Sequence, residues 1–212
     1  MDGVAAHVRE DEPRVAPVSL AVPAPGTPLG EFTQALITQP QSLPALSLLN
    51  TGGFDPNSRV CHAAQIGGAG GITNARGLAG MYAPLANGGE QGGVRLVDRD
   101  ALARMAEVSS ATHEDATLLV PMRFALGFMK SIDNRRRPRG DRDSAILGAP
   151  AFGHGGAGGS LGFADPEAGL AFGYTMNRMG HGVLLNERGQ ALVDTVYRCL
   201  GYRSNQSGCW TR

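Results

Sequence analysis

The spacing of apolar and polar positions changes character along this chain. Residues 1–30 show no period. Pro13, Pro17, Pro23, Pro25 and Pro28 punctuate them, and they read as mostly extended. A short helix is expected at 30–37, ended by Pro40 and Pro44. Residues 50–57 read as a loop, and a glycine-rich stretch follows at 67–71. Thr73 and Asn74 are helix-capping types. Beyond them Leu78, Met81, Tyr82, Leu85 and Ala86 recur at helical spacing until Gly88-Gly89 closes the run. Asp98 is expected to cap a second helix with Leu102, Met105 and Ala106 on one face. Alternation then replaces the helical period. Phe124, Leu126 and Phe128 predict a strand over 124–129, and 135–143 reads as a charged loop. Two further strands are predicted at 152–164 and 170–177, with Asp165-Pro166-Glu167-Ala168-Gly169 as the hairpin between them. A last helix is expected over 187–200, with Leu192, Val193, Val196 and Leu200 on its apolar face. Helices, then a meander, then a terminal helix define an α+β chain: an antiparallel sheet with flanking helices rather than alternating βαβ units.

Composition narrows the function. Hydrophobic residues are 42% and charged residues 18% of 212, a balance that can bury a core. Nineteen basic and nineteen acidic residues cancel, which argues against a chain built to coat nucleic acid or an anionic membrane. No apolar run approaches the roughly 20 residues of a membrane span. The N-terminus lacks a signal-peptide pattern, so a cytoplasmic location is expected. Cys61, Cys199 and Cys209 are too few and too widely spaced for a disulfide framework. The five histidines are scattered, and His113-Glu114 lacks the second His of a zinc motif, so neither metal nor cofactor is expected. The arginines at 135, 136, 137, 139 and 142 are interleaved with Asp133, Asp141 and Asp143, as on a solvated loop. Lys130 is the sole lysine.

The segment from Gly153 to Gly162 satisfies several patterns at once. Gly153, Gly155 and Gly158 spell G-x-G-x-x-G, but dinucleotide binding needs a helix to open there, and Leu161 and Phe163 continue as a strand. Gly158-x-Ser160-x-Gly162 spells a nucleophile elbow. It makes Ser160 the alternative nucleophile of an α/β-hydrolase, with Asp165 or Asp194 and His181 as partners; that motif needs a strand-to-helix turn.

A third pattern fits better. His154-x-Gly156 on a strand, followed by small residues and a hairpin, resembles the Lys/His-x-Gly strand of the serine β-lactamase, penicillin-binding protein and carboxylesterase family. The run from His62 to Gly89 resembles that family's loop and helix behind the active site. Phe124-Ala-Leu-Gly-Phe128 resembles its preceding strand, residues 152–179 its esterase branch, and 187–201 its C-terminal helix. The resemblance spans about residues 8–203 and leaves 204–212 as a tail. It implies a β-lactamase-like domain and hydrolysis of an ester or β-lactam through an acyl-serine. By motif position, the Ala157 N–H is then an oxyanion donor. His154 stands near the substrate, and Gly155 and Gly156 let it approach the strand.

The chain departs from the family in one respect. Gly127 stands three residues before Lys130, so no Ser-x-x-Lys exists here. Tyr82-Ala83-Pro84 does not match the family's Tyr-x-Asn/Ser, and Tyr202-Arg203-Ser204 falls after His154, out of order. The expectation is a C-terminal part of the domain, without turnover of its own and prone to self-association.

Overall fold

The computed structural model describes residues 12–19 and 21–212. Its helices begin where a polar side chain can satisfy a free first-turn amide. After a 3₁₀ turn at Glu12–Arg14, helix α1 (Glu31–Thr38) starts at Gly30, which has no side chain to offer. The Asp141 carboxylate, distant in sequence, accepts from the Glu31 N–H instead, at 3.0 Å. Ser42 caps α2 (Leu43–Leu49), Ser58 caps α3 (Arg59–Ala63), Asn74 caps α4 (Ala75–Ala86) and Asp98 caps α5 (Arg99–Ala106). Asn186 caps α6 (Glu187–Cys199). Pro44 ends nothing beyond α1. It sits in the first turn of α2, where a missing N–H costs no hydrogen bond.

The strands form small antiparallel ladders. Strands β1 (Glu90–Gln91) and β2 (Val94–Arg95) make a hairpin over Gly92-Gly93, both at positive φ as a primed turn requires. Strand β3 (Ser110–Thr112) pairs with β4 (Met122–Phe124). Strands β5 (Phe152–Gly155), β6 (Leu161–Asp165) and β7 (Leu170–Tyr174) form a meander in that order. Met129 bridges Phe124 on one side and Gly153 on the other, joining the two ladders.

Two strand predictions are corrected. The expected strand at 124–129 is a turn after Phe124. Ala125 N–H donates to the Phe128 carbonyl at 2.7 Å, Gly127 has φ 78°, and only Met129 rejoins the sheet. The expected single strand at 152–164 is a hairpin, β5–turn–β6. Gly158 and Gly159, at φ 83° and 108°, lie in the left-handed region that no strand occupies. The hairpin after it falls as expected. Asp165 accepts from the Glu167 and Ala168 amides, both at 3.1 Å, and so holds the turn.

The meander is packed on both faces. On one, Gly162 and Gly173 let α4 lie directly on the sheet; a Cβ at Gly162 would overlap the Tyr82 ring, and one at Gly173 the α4 backbone. Phe152, Ala164, Tyr82, Leu85 and Leu102 complete that core. On the other face Leu161 and Phe163 meet Val193 and Tyr197 of α6, with Leu147 and Trp210. The buried stripe of α6 is Gly189, Val193 and Tyr197. Leu192 and Leu200, expected on the apolar face, are exposed. Residues 204–212, expected as a tail, fold back. Trp210 donates its N–H to the Leu147 carbonyl at 2.9 Å and is 3% exposed.

One polar network crosses this second face. Tyr197 Oη donates to the fully buried Asp165 carboxylate at 2.7 Å and accepts from the Gly148 N–H at 2.7 Å. Burial, and the adjacent Asp165 charge, push the Tyr197 hydroxyl well above its ordinary value, so it stays a neutral donor.

Candidate active site

The site expected from the sequence lies where β5 runs into its turn. His154 pairs with Gly162 across the ladder, and its side chain is exposed. The ring sits 6.4 Å from the Phe124 ring, tilted by 33°. Its Nδ1 lies 2.6 Å from the Gly155 carbonyl. A carbonyl oxygen can only accept, so Nδ1 carries the proton in this contact. Tyr82 packs behind Gly162; burial raises its hydroxyl, and a bond from the His154 backbone opposes the rise.

The turn is short and made of small residues. Gly156 N–H donates to the Ser160 carbonyl at 2.9 Å, and Gly159 N–H to the Gly156 carbonyl at 3.0 Å. Ala157 is exposed at the apex, and its N–H has no partner among the described residues. A Cβ at Gly155 would meet nothing closer than 3.8 Å, so glycine there leaves open space. His154, Gly155, Gly156 and Ala157 thus follow one another from β5 into its turn, with an exposed imidazole at one end and, at the other, an amide without a partner among the described residues.

Ser160 does not meet the requirement of a nucleophile elbow. It closes a β-hairpin and leads into β6, not into a helix. Its Oγ lies across the turn, where a Cβ at Gly156 would overlap it. The acids proposed as its partners are committed elsewhere. Asp165 holds Tyr197 and the hairpin, while Asp194 accepts from Gln190 Nε2 at 2.7 Å and Trp210 Nε1 at 3.2 Å. The G-x-G-x-x-G reading fails for the same reason, since no helix opens after Gly158.

Lys130 also has a structural post. It is 4% exposed, and Nζ donates to the Ala106 and Pro150 carbonyls at 3.0 and 3.1 Å, with the Phe152 ring beneath it. Burial lowers its pKa, and Arg123 adds to the effect. A cavity of about 360 Å³ lies elsewhere, between β3, β4 and the C-terminal segment, and contains none of the expected site residues. Among the described residues no three potential metal ligands converge, and no helix is long and apolar enough to cross a membrane.

Sequence reasoning missed one participant. Asn186 donates through Nδ2 to the Gly158 carbonyl at 2.9 Å while its Oδ1 accepts from Gly189 N–H at 3.3 Å. An Asn before a helical run signals a cap; nothing in the sequence signals its reach across to residue 158.

A glycine-rich β-hairpin edge, backed by a helix on each face of an antiparallel meander, is the frame of a β-lactamase-type hydrolase fold. The Beta-lactamase family profile matches residues 3–196, and the chain belongs to that family. It is 39% identical over 116 residues to the esterase/beta-lactamase LipL of Mycobacterium tuberculosis, covering 55% of this chain and 24% of that protein. Among solved structures it is similar to a family VIII carboxylesterase, at TM-score 0.57 and 38% identity, over 68% of this chain and 36% of the other. It is also similar to EstA from Arthrobacter nitroguajacolicus Rue61a, at TM-score 0.68 and 27% identity, over 91% of this chain and 48% of that one. The chain thus spans less than half the length of each of these relatives.

Proposed function

We propose that this chain supplies one wall of an ester-hydrolase site of the acyl-serine type. The observation that carries the reading is the pairing of exposed His154 with the unpartnered Ala157 N–H on one hairpin edge. An amide free of internal partners, beside a flat strand edge without side chains, can accept the negative charge that develops on a carbonyl oxygen during acyl transfer. His154 adds an exposed imidazole on the same hairpin. The relatives named as esterases support a carboxylic ester as substrate class, with a β-lactam as the second.

The nucleophile and its base are not among these 212 residues. No Ser-x-x-Lys occurs, and the sole lysine is used in packing. Without them no acyl-enzyme forms. Incubation with a fluorophosphonate or an activated ester, followed by mass spectrometry, is expected to return the unmodified mass. A stoichiometric adduct on any serine overturns the reading, and one on Ser160 restores the elbow. His154→Ala should likewise gain no adduct, its mass being that of the substituted chain alone.

A non-catalytic role beside a longer family member has one supporting observation. Ile37, Leu43, Leu49 and Val60 are 61–80% exposed, apolar surface that a partner could cover. A complex with an intact family member on size exclusion would support it, and two separate peaks would oppose it.

A further inference from the structure

We infer that Asn186 is the positioning residue of the candidate oxyanion donor; the inference rests on the reading of Ala157 above. Three consecutive small residues, Ala157, Gly158 and Gly159, have little rigidity of their own, yet an oxyanion donor acts only when its N–H is held in place beforehand. Inside the turn, Gly159 N–H holds the Gly156 carbonyl at 3.0 Å, and the contacts that tie the turn to the segment 180–186 converge on Gly158. Its N–H donates to the Gly182 carbonyl at 3.2 Å. Its carbonyl accepts from Gly180 N–H at 2.8 Å and from Asn186 Nδ2 at 2.9 Å. With Gly158 bound at both ends, the amide one residue earlier is left without a partner among the described residues.

Asn186 is the one side chain in this clamp, and the surroundings are shaped to it. A Cβ at Gly159 or at Gly180 would overlap its amide group, so both glycines make the space in which the amide lies. Its other end is fixed by Gly189 N–H in the first turn of α6. That turn is anchored in the core through the buried Gly189 and Val193. A rigid helix thus transmits its position through one amide group to a glycine turn whose own bonds, Gly156 N–H to Ser160 and Gly159 N–H to Gly156, tie it only to itself.

Capping and clamping use different atoms of Asn186, which makes them separable. Asn186→Asp keeps the oxygen that caps α6 and loses the donor to Gly158; Asn186→Ser also keeps a cap and cannot span to Gly158. Both variants are compared with the wild-type chain by amide hydrogen exchange and ¹H–¹⁵N correlation spectra. The expected result is exchange about tenfold faster at Gly158 and Gly180. The Ala157 resonance should move, while the Gly189 and α6 amides and the thermal midpoint stay near wild type. If either folded variant retains wild-type protection at Gly158 and Gly180, Asn186 is a helix cap only and the inference falls. Should Asp disturb folding through its charge, the neutral Ser variant decides. Exchange needs no turnover, so this outcome is independent of the fluorophosphonate experiment. A failed clamp leaves Ala157 a candidate donor, and a failed donor leaves the clamp intact.

Discussion

The meander and the helical segment before it are made from similar proportions of apolar residues and are packed very differently. Between Phe152 and Ala164, Phe152, Phe163 and Ala164 are fully buried and Leu161 is 2% exposed, covered by α4 on one face and α6 on the other. In α1 to α3 the buried residues are Phe32 and Ala35, then Pro44 and Ala45, then none. Ile37, Leu43, Leu49 and Val60 point into solvent. Cooperative stability therefore resides in the sheet region, where each side chain has cover from two elements. The helical segment is held mainly by its caps and by the charged loop at 135–143. That loop is the seam. Asp141 caps α1 from it, Arg137 lies 3.7 Å from Glu31, and Asp143 faces the loop before α6.

The largest expected effect breaks the sheet side of the comparison. Phe163→Ala removes a fully buried ring stacked on Phe172 and Tyr197. Loss of about 3–5 kcal/mol is expected in denaturant unfolding. A loss under about 1 kcal/mol would mean that the two-faced core is not where stability lies.

The seam gives the next effect. Burial first, then the negative charges of Glu187 and Asp141 in the same sense, raise the Asp143 carboxyl to about 7. The folded pKa lies above the unfolded one, so the charged form is disfavoured by folding. The site's relative stability is complete below about pH 4 and is lost as pH rises through 7. Asp143→Asn removes this dependence. Its advantage over the wild type should grow from nothing near pH 4 to at most about 4 kcal/mol at pH 8, since a carboxyl moved from 3.8 to about 7 counts about 1.4 kcal/mol per pH unit. Denaturation midpoints of the two proteins at several pH values check it. Parallel curves would show that Asp143 ionises freely.

The smallest effect sharpens the helical side. Val60→Ser with Leu49→Ser should change unfolding free energy by no more than about 0.5 kcal/mol, because both side chains are already in water. The pair should still lower the binding of a dye that reports apolar surface, and lower any self-association. A large loss of stability would place those side chains in a core after all.

Much of the site was legible in the sequence, but one step short of its geometry. Asn74 and Asp98 were readable as caps because a cap is a local bond between residues three apart. The hairpin at 165–169 was readable because Asp165 holds its own turn. The run from Gly153 to Gly162 was readable as a candidate edge and misread as one strand. Glycine has no side chain to break the alternation, and only the positive φ at Gly158 and Gly159 shows that the chain reverses. Phe124, Leu126 and Phe128 alternate in sequence for the same formal reason, although Leu126 is the exposed tip of a turn.

The sequence by itself determined the α+β class, the family, the starts of α1, α4, α5 and α6, and the segment that carries His154 and Ala157. These depend on residues close together in the chain or on patterns summed over long stretches. Only the tertiary structure decided that Asp141 caps α1 and that Trp210 joins the core. It also decided that Lys130 is spent between two carbonyls and that Asn186 reaches Gly158. Each is a bond between residues 20 or more positions apart, measured in the chain, and partner choice at that range is set by which surfaces the packed sheet and helices bring face to face.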